Sequence, residues 1–205
     1  MAKIQKYMLI LCFSILAVDG YCSTVFYDNF DGEPSTSILN YDSFVNWNVF
    51  NGTVDLLTSG DSFLVQCYGG AGQCVDLDGT TNDAALFVTK QSFDLPAGEY
   101  VLSFAISGNQ RASGNDTVTV SLGSMFSETY TKTRNDPFEL ISVSINVPTA
   151  TSANISFDHQ GGDRYGIILD EVSLTAVPIP AAGWLFLSGI LGIWNFAARS
   201  RKHKA

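Results

Sequence analysis

The sequence predicts an all-β protein: an antiparallel two-sheet sandwich of the jelly-roll kind, with an N-terminal signal peptide and one C-terminal transmembrane helix. Three observations predict it. Apolar and polar residues alternate with a period of two in segment after segment between Thr24 and Val177. Clusters of Gly, Asn, Asp and Pro separate those segments, and no amphipathic helical stretch interrupts them. Both ends are apolar runs bordered by lysine or arginine. Alternation with Ser and Thr on the outer side is what a half-buried antiparallel strand requires. About ten such strands joined by short turns make a two-sheet sandwich.

The first segment, residues 1–23, reads as a signal peptide. Lys3 and Lys6 precede an apolar run from Tyr7 to Val18, and Val18-Asp19-Gly20 offers a cleavage site after Gly20. Cleavage after Cys22 or Ser23 is a second option, and an uncleaved signal anchor a third. Cys22 lacks the small apolar residues before it that a lipid-acceptor cysteine needs, since Asp19-Gly20-Tyr21 stands there.

The middle, residues 24–177, carries the strands. Thr24 to Tyr27 is the first, followed by the oxygen-rich turn Asp28-Asn29-Phe30-Asp31-Gly32. Phe44 to Phe50, Thr53 to Leu57 and Ser62 to Cys67 alternate, with Asn51-Gly52 and Ser59-Gly60-Asp61 as turns between them. Cys74 to Leu77 and Ala85 to Lys90 follow. The clearest patterning is Tyr100, Leu102, Phe104 and Ile106; then Val118, Val120 and Leu122; then Ile141, Val143, Ile145 and Val147; then Ile155 and Phe157. The last strand is Tyr165 to Thr175. Its Ile168, Val172 and Leu174 share one parity, and Asp170 shares it too. A carboxylate on the core side of a strand needs compensation, because burying an unpaired charge is costly. The expected partner is a structural Ca²⁺ held by Asp28, Asp31 and Asp170. A local bulge, or a pair with Arg164 or Arg111, would serve instead.

Charge narrows the function. Two of the eleven basic residues lie in the signal and four in the tail, and Asp19 alone of the twenty acidic ones lies outside the middle; five basic against nineteen acidic residues leave it at −14. Such a surface excludes nucleic acid as a partner, since that needs a basic patch. Cys67 and Cys74 flank a Gly-rich loop; in an exported protein they read as a local disulfide, the alternative being a reduced pair. His159 is the one histidine of the middle and reads as a loop residue beside Gly161-Gly162. No nucleophile elbow, phosphate loop or zinc spacing accompanies it, so the expectation is a protein that is not an enzyme. Sugar sites on sandwiches use aromatic faces, for which Tyr68, Tyr165 and Trp47 are the candidates; Trp47, inside an alternating strand, also reads as core.

Residues 178–205 form the third segment. Ile179 to Ala198 holds no charge, and twenty residues at helical rise give ~30 Å, the thickness of a bilayer's hydrocarbon core. Trp184 and Trp194 sit towards its ends, and Arg199, Arg201, Lys202 and Lys204 follow. That basic tail places the C-terminus in the cytoplasm and the middle outside. Ahead of the helix stands Val177-Pro178-Ile179-Pro180-Ala181. A proline motif, one helix and a terminal basic cluster together resemble the PEP-CTERM class of bacterial sorting signals, in its VPLPA-type variant. Ile179 stands where a Pro-Glu-Pro motif has its acid. The resemblance implies an exosortase-type enzyme as partner, and release to the cell surface or extracellular matrix. Permanent retention as a single-pass membrane protein is the alternative, with Ser188 and Gly192 as a small-residue pair for helix association.

The middle, in turn, resembles a recurrent ectodomain of proteins with such tails. The resemblance rests on Phe30-Asp31-Gly32, on residues 39–48, 52–56, 75–79, 97–100 and 118–123, and on Leu169-Asp170-Glu171-Val172-Ser173-Leu174. More distantly it is similar to jelly-roll, galactose-binding-like carbohydrate-binding modules. That implies a calcium joining the N-terminal turn to the last strand, with Asp31 and Asp170 at the matching positions. Two functions follow as expectations: non-catalytic binding of exopolysaccharide, or a structural role in surface or biofilm matrix without a specific ligand.

Overall fold

The computed structural model describes residues 22–81 and 83–178. Nearly all of the expected signal peptide, the expected transmembrane helix 179–198, Pro180, Ala181 and the basic tail lie outside the described residues. Within them, thirteen strands run in chain order: β1 (Ser23–Asp28), β2 (Trp47–Phe50), β3 (Asp55–Thr58), β4 (Gln73–Asp76), β5 (Leu86–Thr89), β6 (Phe93–Leu95), β7 (Gly98–Ser107), β8 (Asn115–Leu122), β9 (Phe126–Thr133), β10 (Glu139–Val147), β11 (Thr151–Ala153), β12 (Ile155–Gln160) and β13 (Ile168–Val177). One sheet has the order β10-β7-β13-β4-β3, with β1 also paired to β13; the other has the order β2-β5-β12-β8-β9. A short β6–β11 pair completes the set, and every named pairing is antiparallel.

The alternating residues do what their period requires. Leu102, Phe104 and Ile106 of β7, Val118, Val120 and Leu122 of β8, and Phe157 of β12 all have no exposed surface and meet between the sheets. The aromatic centre of that core is Trp47, stacked on Phe87 with ring centroids 4.6 Å apart and planes 9° from parallel. A second, smaller core lies on the outer face of the larger sheet. Adjacent strand residues point to opposite faces, so Leu56 and Val75 join the main core while Leu57 and Cys74 join the small one, with Val65, Cys67 and Ile168.

Some elements differ from the sequence reading. Residues 62–67 are not a strand; they belong to a long β3–β4 loop, residues 59–72, in which Leu64 has a positive φ of 60° and is 78% exposed. Its apolar residues read as alternation, but they pack as a cap on the small core through Phe63 and Val65. The strands β6, β9 and β11 were not expected. In β9 Phe126 and Tyr130 pack on the core while polar residues stand between them, a weak alternation in a Thr-rich stretch. His159 lies in β12, not in a loop, and is buried.

The parity of β13 is interrupted. A register shift falls between Asp170 and Ser173, and Glu171 takes a φ of +51°. Before this bulge Leu169 faces the main core and Ile168 the small one; after it Val172 and Leu174 face the main core. One extra residue reverses the facing of a strand. Asp170 is therefore on Ile168's side, not on that of Val172 and Leu174. It is nonetheless buried, only 3% exposed, because the β3–β4 loop covers it.

The cover is pinned by a disulfide, Cys67–Cys74, with Cα atoms 5.5 Å apart. With only seven residues of separation, loop-closure entropy gives it a stabilising effect of about 2.5 kcal/mol. Urea unfolding of a C67S/C74S variant is expected to show that loss; an unchanged midpoint would mean the loop is held by its hydrogen bonds alone.

Candidate functional site

Four loops gather at one end of the sandwich: residues 59–72, 108–114, 134–138 and 161–167. They are knitted by backbone bonds from Gly108 N–H to Asp136 O (3.0 Å) and from Gln110 N–H to Arg134 O (3.1 Å). Gln110 ties in the β3–β4 loop as a strand would: Gln66 N–H donates to its Oε1, and its Nε2 donates to Gln66 O, both at 2.9 Å. Asn109 shapes the turn that follows, accepting the N–H groups of Arg111 and Ala112 at 2.8 Å each. Its own Nδ2 donates to Asp116 Oδ2 at 2.8 Å.

That turn delivers Arg111 to a buried acidic floor. Asp55 of β3 and Asp76 of β4 are direct cross-strand partners, and neither is exposed. Like charges in that position repel, and the Arg111 guanidinium offsets them by an ion pair with Asp76 Oδ2. Asp76 Oδ1 accepts Gly166 N–H (2.7 Å) and Asp78 N–H (3.0 Å). Only glycine fits at 166, since a Cβ there would lie 2.5 Å from Asp78 N. Asp55 Oδ1 accepts Asn40 N–H at 2.8 Å, whereas Asp55 Oδ2 is buried with no hydrogen-bond partner. The nearby Thr80 amide donates to Asn40 Oδ1 instead. Burial pushes the Asp55 carboxyl above the usual range, partly offset by Asn40 N–H, by the Arg111 charge and last by the nearby Thr80 N–H. Asp78 is pushed up to about 6, by burial first and then by the charge of Asp163.

Above this floor is an open cavity of about 500 Å³, whose lining includes Asp55, Arg111, Arg134, Arg164, Tyr165 and Gln110. The Arg111 guanidinium sits over the Tyr165 ring, 4.9 Å from its centroid, and Tyr165 is 37% exposed. A second cavity of about 360 Å³ shares Gln110 and Arg134 with the first and ends at Phe138. Phe138 packs edge-on to Tyr68, centroids 5.7 Å apart. The two cavities make one groove, with Tyr165 in one half and Phe138, backed by the exposed Tyr68, in the other. Trp47 is no part of it: it has no exposed surface and its Nε1 donates to Asp28 Oδ2 at 2.8 Å. The sequence reading missed Asp55 and Asp76, and it offered Arg111 as a partner for Asp170, whereas the guanidinium pairs with Asp76. The doubled carboxylate at core parity in β3 and β4 was the available signal.

Of the proposed calcium ligands, Asp28 stands apart. Its carboxylate accepts Phe30 N–H (2.9 Å), Asn46 Nδ2 (3.0 Å) and the Trp47 indole, so it anchors the core aromatic. Asp31 and Asp170 meet opposite ends of the disulfide loop. Asp31 Oδ1 accepts Gln73 N–H (2.9 Å), and Asp170 Oδ2 accepts Tyr68 N–H (3.0 Å). Gly72 is required there, because a Cβ would lie 2.1 Å from Asp31 Oδ1. Burial pushes the Asp170 carboxyl up to about 7; Glu171 and Tyr68 N–H groups offset this, and the charges of Glu171 and Asp31 add to it. Among the described residues no three Asp, Glu, His or Cys side chains are grouped to hold a metal ion.

His159 has no access to chemistry. It is 5% exposed, its Nε2 accepts Ile167 N–H at 3.2 Å, and burial pulls its pKa down to about 4. It is a neutral strut between β12 and the residues leading into β13.

No protein-family model matches the chain, and no curated protein matches it. Solved structures do. The CBM22-1 xylan-binding domain of Xyn10C from Paenibacillus barcinonensis aligns over 78% of this chain and 99% of its own, with a TM-score of 0.50 and 12% identity. This chain has its fold, a jelly-roll sandwich. The K2 cleaved adhesin domain of Lys-gingipain aligns over 74% and 98%, with a TM-score of 0.47 and 15% identity. The CBM22-1–GH10 portion of Clostridium thermocellum xylanase 10B aligns over 76% of this chain at a TM-score of 0.46 and 20% identity, and this chain spans only 28% of that one. Carbohydrate-binding modules of families 6 and 61 are also among the structures matched.

Proposed function

We propose that the sandwich is a non-catalytic polysaccharide-binding module and that the groove between Tyr165 and Phe138 is its site. The observation that carries this is the pairing of an exposed aromatic, held in place by Arg111, with a buried carboxylate oxygen that has no partner. Sugars present apolar C–H faces and hydroxyl donors. A fixed aromatic with an unpartnered acceptor beneath it suits both. The xylan-binding domain supports the reading through its fold alone. Tyr68 contributes by backing Phe138.

The chain's ends extend the proposal. Val177, Pro178, Pro180 and Ala181 would present the motif to an exosortase-type enzyme, with residues 179–198 in the membrane and Arg199, Arg201, Lys202 and Lys204 in the cytoplasm. The product is then exported to the cell surface or extracellular matrix. A structural Ca²⁺ would rest on Asp31 and Asp170 at the two ends of the disulfide loop, with no third carboxylate grouped beside them among the described residues; Asp28 is better explained by Trp47. The ion would supply the positive charge that Asp170 lacks, and the chain's own residues would fix the loop.

The test is affinity electrophoresis of the purified full chain through gels containing the host's exopolysaccharide. Retardation is expected, and Y165A is expected to weaken it by about tenfold, 1.4 kcal/mol. No retardation, or an unchanged Y165A, would favour a structural matrix role without a specific ligand.

A further inference from the structure

The groove concentrates arginines in a chain that is otherwise acidic. Five basic residues lie between Thr24 and Val177 against nineteen acidic ones, and three of those five, Arg111, Arg134 and Arg164, line the larger cavity. Arg111 is spent on the acidic floor and on Tyr165. Arg134 is exposed, and among the described residues no carboxylate lies within ion-pair distance of it. It lines both cavities and so stands at their junction. Asp136, on the wall of the smaller cavity, has its carboxylate turned onto Thr133 N–H and Oγ1 at 2.8 Å each.

A neutral glycan has no use for an exposed guanidinium that stands without an ion-pair partner at the junction of the groove. An acidic glycan does, because the net charge of the domain repels it everywhere else and local complementarity must supply both attraction and register. Guanidinium forks match planar anionic groups bidentately. The buried Asp55 Oδ2 adds an independent constraint, since it has no hydrogen-bond partner and lines the same cavity. An anion bound at Asp55 itself is repelled, so the acidic group must go to the arginine side and a neutral hydroxyl to the floor.

We infer that the groove takes a saccharide carrying an anionic substituent, the acidic group on Arg134, a ring face on Tyr165 and a hydroxyl donating to Asp55 Oδ2. This rests on the polysaccharide-binding reading above and names the class of sugar. Carboxylated and sulfated sugars share the chemistry.

The test is titration calorimetry on the full chain in detergent with three probes: an oligogalacturonate, its methyl-esterified counterpart and a sulfated galactan oligosaccharide. One of the two charged probes is expected to bind about tenfold or more tighter than the methyl ester, the effect of a charge-assisted hydrogen bond. The tighter of the two identifies the anion. R134A is expected to remove that preference, so that the charged probe binds no tighter than the methyl ester, with R134K in between because it keeps charge but loses the fork. A methyl ester bound as well as the charged probes would overturn the inference while leaving a neutral-polysaccharide site standing. No binding to any of the three would overturn it too; the exopolysaccharide gel then decides separately whether the broader reading survives.

Discussion

Replacing Arg111 by Met is expected to cost about 3–5 kcal/mol of folding free energy, the usual result of removing one partner from a buried ion pair. Against a typical total of about 5–15 kcal/mol this is a large share. The reason is specific to this floor. Asp55 and Asp76 face each other across β3 and β4, both without exposed surface, and Arg111, its side chain 14% exposed, is the cation that offsets them. Methionine fills most of the volume, so the loss measures charge rather than packing. Its pH dependence has a definite sign. Without the guanidinium, the Asp55 carboxyl rises further above its unfolded value. The folded variant then holds a proton that the unfolded chain has lost, and its stability falls as pH rises from about 4. The gap between parent and R111M should therefore be widest at neutral pH and close on acidification. The double variant R111M/D76N should recover much of the loss, since the two residues are directly coupled. Urea unfolding of the parent and both variants between pH 4 and 8 measures this. A loss below about 1 kcal/mol at pH 7 would show that the floor is solvated and that Arg111 serves the surface only.

How much of this was legible in the sequence differs between fold and site. Strands with strict alternation, such as Tyr100 to Ile106 and Val118 to Leu122, were readable because side-chain facing is a local consequence of the extended backbone. The Cys67–Cys74 bridge was readable for the same reason, as a local loop closure. The groove was not, since it depends on which loops meet. Nothing local says that Gln110 will pair with Gln66, or that Arg111 will reach Asp76 thirty-five positions earlier. Tyr68 and Tyr165 were singled out by residue type, and the topology puts Tyr165 in the lining of the groove and Tyr68 behind Phe138, outside the lining; Trp47 was singled out on the same ground and went to the core. Asp170 marks the boundary between the two kinds of knowledge. Its burial was expected, but from a parity argument that the bulge at Glu171 breaks. The carboxylate is buried by a loop from elsewhere in the chain, on the opposite face of the sheet.

That loop makes Asp170→Asn the second informative substitution. The folded carboxyl, pushed up to about 7 by burial, keeps a proton that the unfolded chain loses near its ordinary 3.8. Between those values the parent's stability falls with rising pH, by about 4 kcal/mol once the window is crossed. Other buried groups act in the same range. Asp78, raised to about 6, slopes the same way. His159, lowered to about 4, slopes the opposite way, because below 6.5 the unfolded chain takes a proton that the folded one refuses. The difference between parent and D170N cancels both. Asparagine removes the charge but turns one N–H towards Tyr68 or Glu171, which already donate to this position, at a cost of about 1–3 kcal/mol. The parent is therefore expected to be the more stable at pH 4, and D170N at pH 8 in chelator, with the curves crossing between. A Ca²⁺ on Asp31 and Asp170 would lower the carboxyl's pKa and lift the parent alone at neutral pH, restoring it to or above D170N. Melting temperatures of both chains from pH 4 to 8, in calcium and in chelator, separate the two claims. A parent–variant difference that does not change with pH would mean that the Asp170 carboxyl is hydrated despite the loop above it. Identical parent curves in calcium and chelator would leave the carboxyl buried and remove the ion, assigning Asp170 to holding Tyr68 and the disulfide loop against β13.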